Sequence, residues 1–293
     1  MKKTKITFEE YFSQIYGQRW SVLKSAMLQT PKQVIRNCFH ARKFTHTDEE
    51  SFDYPVYRKE DYEKVNQNND HNLKEYYVMD PASILCAKAL EIKPEDDVLD
   101  MCAAPGGKTL VLLESLAKGT LWANELSAAR RNKLKKVIQD YVPADLREQV
   151  FIKGKDGNRY GLNHVESFDK ILVDAPCSGE KHLLETPKEL EKWSLKRTQR
   201  LSQNQYSLLC SAILACKTGG QIVYSTCSIS PLENDEVIKK VLLKKGEMVV
   251  LNLPEIDLPQ VEKTDYGYII LPDQAQAGPI YFSRLSKIET CAD

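Results

Sequence analysis

From residue 96 onward, short apolar runs alternate with longer runs of helical period, and this alternation limits the folds open to the chain. DDVLDMC (96–102), GTLWANE (119–125), QVFIK (149–153), DKILVDA (169–175) and GGQIVYSTC (219–227) read as strands. KTLVLLESLA (108–117), AARRNKLKKVIQDYV (128–142) and most of 189–217 read as helices between them. Strands that alternate with helices predict a mainly parallel, doubly wound α/β sheet. EMVVL (247–251), YGYIIL (266–271) and GPIYFSRL (278–285) are further strands. The last two are too close for a helical crossover, so an antiparallel edge is expected. SPLENDEVIKK predicts a helix start with a capping box, Ser230 with Glu233.

Ahead of this pattern, apolar residues near helical spacing predict one helix over 7–28. Residues 47–75 are polar and acidic, and NQNNDHN within them reads as loop. A further helix should begin after Asp80 as N-cap, with Pro81 in its first position, and run to about Leu90. The chain divides into an N-terminal helical, basic extension, 1–75, and a doubly wound domain, 76–293.

Composition closes off several classes. No stretch of the 293 residues approaches the ~18 apolar residues of a membrane span. MKKTKITFEEYF holds no apolar run that could act as a signal peptide, so a cytoplasmic protein is expected, or a mitochondrial one if a targeting segment has been removed. The eight cysteines form no C-x-x-C pair and the five histidines are scattered, so no metal site is expected. Net charge is zero, but residues 1–46 carry nine basic side chains against two acidic, and residues 47–100 carry fifteen acids against six bases. A basic arm fits contact with RNA, and it equally fits a solvated helix face.

DMCAAPGGKT (100–109) resembles a phosphate-binding loop at first sight. That motif needs G-x-x-x-x-G-K-[ST], and the first glycine position is held by Cys102. Ala103, Ala104 and Pro105 remove flexibility and one backbone N–H. Gly106 and Gly107 do allow close approach of a ligand at the strand's carboxyl end, and Glu125, 18 residues after Gly107, ends the next strand where a ribose diol would be held. An adenosine ligand without a triphosphate fits, and S-adenosyl-L-methionine is one.

Cys177, in DAPCSGE, and Cys227, in YSTCS, both lie at carboxyl ends of predicted strands, where α/β enzymes keep their chemistry. A thiolate adding to C6 of a pyrimidine makes C5 an enamine carbon able to attack a methyl sulfonium. That reaction needs an activated thiol, an acid partner at N3 and a group to aid release.

DMCAAPGGKT, DAPCSGE and YSTCSISPLEND, in this order, resemble the Sun-type RNA cytosine-5 methyltransferases over roughly residues 76–285. The resemblance implies a class I, Rossmann-like methyltransferase domain at 76–293. It implies Cys227 as nucleophile, Cys177 as the residue aiding release and Asp174 as hydrogen-bonding the cytosine. The cofactor would be held by Cys102, Ala103, Ala104, Pro105, Gly106, Gly107 and Lys108, with Glu125 on the ribose, Asp156 near the adenine and Asp174 close by. FEEYFSQIYGQRW, YYVMDPASIL and GPIYFSRL are similar to the mitochondrial small-subunit rRNA branch, and a sister mitochondrial tRNA enzyme is also similar. Glu180-Lys181-His182 depart from the glycine and paired arginines of many bacterial members.

The implied substrate is RNA, rRNA first and tRNA second, bound by a monomer that a protein partner assists. Basic residues of the arm, with Lys188, Lys192, Lys196, Arg197 and Arg200, are the expected phosphate contacts. Other readings stay open on the residues alone. Cys177 and Cys227 could exchange roles, as in DNA cytosine methyltransferases. Asp174 could cap its strand, Glu125 could be a surface acid, Asp156 could form a turn, and Lys108 could be a helix-start cation. Arg130-Arg131 reads as a solvated helix start. A non-catalytic RNA-binding or ribosome-assembly factor is the rival from another class, though two intact cysteines speak against it.

Overall fold

The computed structural model describes residues 6–39, 44 and 49–289. Two helices open it, α1 (Phe8–Tyr16) and α2 (Trp20–Met27), where one was expected. Gly17 ends α1 with a φ of 55°, a conformation that favours glycine, and a 3-10 turn over Gly17–Arg19 redirects the chain. Thr7 caps α1 reciprocally: its hydroxyl accepts the Glu10 N–H, and the Glu10 carboxylate accepts the Thr7 N–H at 2.8 Å.

This segment is not a free arm. Phe8, Phe12, Trp20, Leu23 and Met27 are buried in one apolar cluster with Ile171, Val173, Leu209 and Tyr224 of the sheet and its long helix. Phe12 stacks on Trp20 with ring centres 5.2 Å apart, and Trp193 meets Phe8 edge-on at 5.5 Å. Strands β1 (Val34–Asn37) and β2 (Tyr76–Met79) then pair antiparallel. They deliver the chain to α3 (Pro81–Lys88), where Asp80 accepts the Ala82 N–H as expected of an N-cap.

The main sheet follows: β3 (Val98–Asp100), helix α4 (Gly107–Leu113), β4 (Leu121–Asn124), helix α5 (Ala128–Tyr141), β5 (Val150–Lys153) and β6 (Phe168–Asp174). Helix α6 (Leu195–Ala215), β7 (Cys216–Thr226), helix α7 (Asp235–Lys245), β8 (Val249–Leu251), β9 (Glu262–Lys263), β10 (Tyr268–Ile270) and β11 (Ile280–Lys287) complete it. The order across the sheet is β9-β10-β11-β7-β6-β3-β4-β5, with β8 also paired to β11. Strands β3 to β7 are parallel, and β11 inserts antiparallel beside β7.

The parallel strands are buried on both faces. Leu99, Ile171, Val173, Ile222 and Tyr224 face α1, α2, α6 and α7, whereas Val98, Leu172 and Val223 face α3, α4 and α5. This is why their sequences read as nearly continuous apolar runs. After β3 the chain builds outward through β4 and β5, then returns to place β6 on the other flank of β3. The reversal opens a crevice at the carboxyl ends of β3 and β6.

Phe12→Ala should lower stability by about 3–5 kcal/mol, because the ring is fully enclosed and the stack around it cannot close up. Denaturant unfolding measures this. A loss below about 1 kcal/mol would show that α1 is held weakly.

Candidate active site

Asp174 lies opposite Ser225 in the parallel pairing of β6 and β7, so the segments after the two strands leave the sheet side by side. That placement brings Cys177 and Cys227 together, with their sulfurs 2.9 Å apart. Cys227 is exposed and Cys177 half-buried. The adjacent Cys227 sulfur, and then burial, push the Cys177 thiol well above its ordinary range, so Cys177 keeps its proton.

Asp174 faces the same space. Its Oδ2 accepts Lys108 Nζ at 2.7 Å and its Oδ1 accepts Ser225 Oγ at 2.8 Å. Burial pulls the Lys108 ammonium down, but the Asp174 carboxylate outweighs it and raises the group, so the lysine stays charged. A phosphate-loop lysine would face an anionic ligand. Here the charge is held by a carboxylate of the protein, which agrees with the missing first glycine.

The loop after β3 contains a cis Ala104–Pro105 bond and a Gly106 at φ 120°. A Cβ on Gly106 would also meet the Val137 side chain at 3.0 Å. Asp100, which ends β3, is fully buried: Thr109 Oγ1 donates to its Oδ2 at 2.7 Å, and its Oδ1 has no partner. Burial pushes its carboxyl up to about 7.

At the expected helix start Arg130 is exposed and Arg131 partly so, and both also make contacts within the protein. Arg130 Nη2 donates to the Ala104 carbonyl at 2.6 Å and Nη1 lies 3.3 Å from Glu125 Oε2; Arg131 Nη1 donates to the Glu125 carbonyl at 2.7 Å. The first helical turn of α5 thereby ties the loops after β3 and β4 together. Glu125 is buried, with Oε1 accepting the Ser127 N–H at 2.8 Å and Oε2 accepting no hydrogen bond. Asp156 caps a turn, accepting the Asn158 N–H at 3.0 Å, while the Asn158 Oδ1 is buried without a partner.

A cleft of about 630 Å³ is lined by Pro105, Lys108, Arg130, Asp174, Cys177 and Cys227. An adjoining hollow of about 160 Å³ runs along Asp100 and Cys102 to Lys108, and shares Ala104, Pro105, Lys108 and Asp174 with it. The residues singled out in the sequence are therefore brought together, except that Glu125 and Asp156 line neither hollow. A separate cavity of about 650 Å³, lined among others by Cys38, Tyr141 and Arg147, shares no residue with the cleft.

Sequence reading missed part of the site. Asp80 lines the cleft and accepts the Gly278 N–H with its second oxygen, a partner too distant in the chain to be read. Lys181, also in the lining, donates to the Met27 and Gln29 carbonyls and so fixes the end of α2 to the cleft rim. Tyr16 donates to the Ile229 carbonyl at 2.7 Å, and Tyr11 shares a 2.9 Å hydrogen bond with Ser230 Oγ, so α1 braces the loop after Cys227. The expected capping box is not formed: Ser230 makes no side-chain cap bond, and Glu233 instead turns into a buried cluster beneath the thiols, accepting the Ser178 N–H at 3.0 Å.

Among the described residues of the arm, the basic side chains are paired within the chain, Lys24 by Glu9. Arg19 is bound by Glu262 and Asp273, buried Arg36 by Glu114, and Lys32 by Glu49. Lys192 and Arg197 share Glu189, and Lys188, Lys192, Lys196, Arg197 and Arg200 are all exposed.

Five parallel strands, an antiparallel strand inserted beside the last of them, and a cleft at the reversal of strand order define the Rossmann-like fold of class I methyltransferases. The chain belongs to the family described as 16S rRNA methyltransferase RsmB/F, whose model matches residues 87–286. The mitochondrial tRNA (cytosine(34)-C(5))-methyltransferase of Danio rerio is 37% identical over 235 residues, covering 74% of this chain and 62% of that protein. The 5-cytosine rRNA methyltransferase NSUN4 of Mus musculus is 36% identical over 232 residues, covering 74% and 61%. The chain thus spans about three-fifths of the length of these relatives. A methyltransferase homologue from Pyrococcus horikoshii has the same fold, with a TM-score of 0.78 at 21% identity, over 96% of this chain and 94% of that one.

Asp100 gives a pH test. Its folded value of about 7 lies above the ordinary 3.8, so the stability it contributes is complete below about pH 4 and is lost as pH rises through 7. Asp100→Asn should therefore show a shallower fall in Tm between pH 5 and 8 than wild type. Equal slopes would mean that Asp100 does not hold this proton.

Proposed function

We propose that this chain transfers a methyl group from S-adenosyl-L-methionine to C5 of a cytosine in RNA. The observation that carries the reading is the pair of thiols at 2.9 Å in one cleft with Asp174. In such a cleft one thiol can add to C6 of a pyrimidine ring while the other aids release.

The residues present fit the cofactor. Asp100 Oδ1 is a buried acceptor with no hydrogen bond and Glu125 Oε2 has only the Arg130 ion pair at 3.3 Å; the two stand at the ends of β3 and β4, on either side of the Cys102–Lys108 loop. A ribose diol and a cationic methionine group supply what such acceptors lack. Cys102, Ala103, Ala104, Pro105, Gly106, Gly107 and Lys108 would line its bed, Glu125 would take the ribose, and Asp156 would lie toward the adenine. When bound, the cofactor supplies an electrophilic methyl group.

Cys227, the more exposed thiol, attacks C6 of a cytosine that has left its stack, since C6 cannot be reached within a helix. Asp174 hydrogen-bonds the ring, and the Lys108 ammonium beside it stabilises the negative charge that develops toward N3. After methylation the C5 proton passes to water in the open cleft, its electron pair re-forms the C5=C6 bond, and Cys227 departs as the thiolate. Cys177 is placed to assist that release.

Residues 76–293 carry the chemistry in this reading, and residues 1–75 form an extension. The family description and the NSUN4 relatives favour rRNA as substrate; the Danio rerio relative favours tRNA as the second choice. Mitochondria are the favoured compartment, from the mitochondrial name of that relative. A monomer assisted by a protein partner fits the arm's described basic residues, Arg19, Lys24, Lys32 and Arg36, which are all paired within the chain.

Incubation of wild type, Cys177→Ala and Cys227→Ala with methyl donor and total RNA, followed by denaturing gels, tests the roles. Cys177→Ala should accumulate an RNA-linked protein band and Cys227→Ala should not. A band from Cys227→Ala alone reverses the roles. No band from either, with no methyl transfer by wild type, favours an RNA-binding assembly factor.

A further inference from the structure

Beneath the thiols lie two carboxylates that the proposed reaction does not use. Glu180 and Glu233 are both completely buried. Among the described residues, the hydrogen bonds they accept come from neutral donors. Glu180 takes Ser178 Oγ, Ser228 Oγ at 3.1 Å and the Ile229 N–H at 3.1 Å. Glu233 takes Ser178 Oγ, the Ser178 N–H at 3.0 Å, Gln205 Nε2 at 2.7 Å and Ser228 Oγ at 3.3 Å.

The pattern is reciprocal. Glu180, on the Cys177 segment, holds the backbone two residues beyond Cys227. Glu233, on the Cys227 segment, holds the backbone next to Cys177. Gln205 of α6 closes the arrangement by donating to the Pro176 carbonyl at 2.9 Å and to Glu233. Each cysteine loop is thus gripped by a carboxylate from the other.

We propose that Glu180 and Glu233 form a crossed carboxylate clamp that sets the separation of the Cys177 and Cys227 sulfurs. Both are positioning residues, acting through the cysteine loops and not on the base. The clamp closes with one proton on the carboxylate pair. Ser178 Oγ touches Oε1 of both groups but has a single hydrogen to donate, so the other close contact needs a carboxyl O–H. Burial, followed by the charge of Glu233, supports this by raising Glu180 to about 7, and burial raises Glu233 as well.

The effect on turnover rests on the methyltransferase reading; the effect on geometry does not. The geometric readout is disulfide formation with diamide. Two thiols give up two hydrogens to the diazene, which becomes the hydrazine, and one S–S bond forms. Mass spectrometry follows the Cys177–Cys227 cross-link. Glu180→Ala and Glu233→Ala should slow it about tenfold or more, with methyl transfer falling in parallel, since a misplacement of about 1 Å costs on that order or more. Glu180→Gln, which keeps a neutral hydrogen-bonding side chain, should stay within about threefold of wild type, less than the 1.4 kcal/mol of a tenfold change. Ser178→Ala, which removes the shared hydroxyl, should slow cross-linking even if the alanine variants at 180 and 233 fail to fold. Cross-linking at the wild-type rate in Glu180→Ala or Ser178→Ala would overturn the clamp. Damage in Glu180→Gln equal to that in Glu180→Ala would overturn the shared proton. Wild type that cross-links readily yet methylates no RNA would sink the functional reading and leave the clamp standing.

Discussion

Asp174 and Ser225 face each other across two adjacent parallel strands, and the chemistry of the molecule depends on that register. Parallel strands end on the same side of a sheet, so the residues just beyond them are neighbours whatever their distance in sequence. Cys177 and Cys227, fifty positions apart, are brought into one place by this means. A shift of one residue in the pairing would turn Ser225 away from Asp174 and move one thiol relative to the other. With both faces of the strand apolar, the hydrophobic pattern alone would not forbid that shift, and the Ser225 Oγ to Asp174 Oδ1 hydrogen bond is one contact that it would break.

Several charges around the site are committed to architecture. Lys108 stands where a phosphate-binding lysine would, yet it is neutralised by Asp174. Arg130 bridges two site loops, and Arg19 and Arg36 lock the N-terminal segment to the domain. Where carboxylates lack a cation, as at Asp100, Glu180 and Glu233, the low dielectric of the interior favours the protonated form. Protons therefore do at these positions what ion pairs do elsewhere.

The N-terminal helices belong to the site as much as to the core. Their apolar faces enter the cluster beneath the sheet, and their tyrosines reach the loop after Cys227. Lys181 returns the contact from the cleft side. The proposed division at residue 75 follows the chain, but the packing crosses it.

Local signals specified a great deal. The strand and helix alternation, the Asp80 cap, the two cysteine motifs and the glycine turn after β3 could be read directly, because each rests on neighbours within a few residues. The three motifs together also carried the family resemblance. Local signals failed where a stronger distant partner existed. Ser230 and Glu233 carry a capping-box pattern, but Glu233 gains more from the Ser178 N–H and Gln205 than from a helix end. Arg130 is the surface residue its sequence suggests, but its contact with the Ala104 carbonyl is invisible from position 130. By itself, then, the sequence determined the alternation of strands and helices and the motifs that carry the candidate site residues, through periodicity and short-range chemistry. The tertiary structure alone decided that the thiols meet, that Lys108 faces Asp174, and that two buried glutamates cross between the loops, because those contacts join segments that only the closed sheet brings within hydrogen-bond distance.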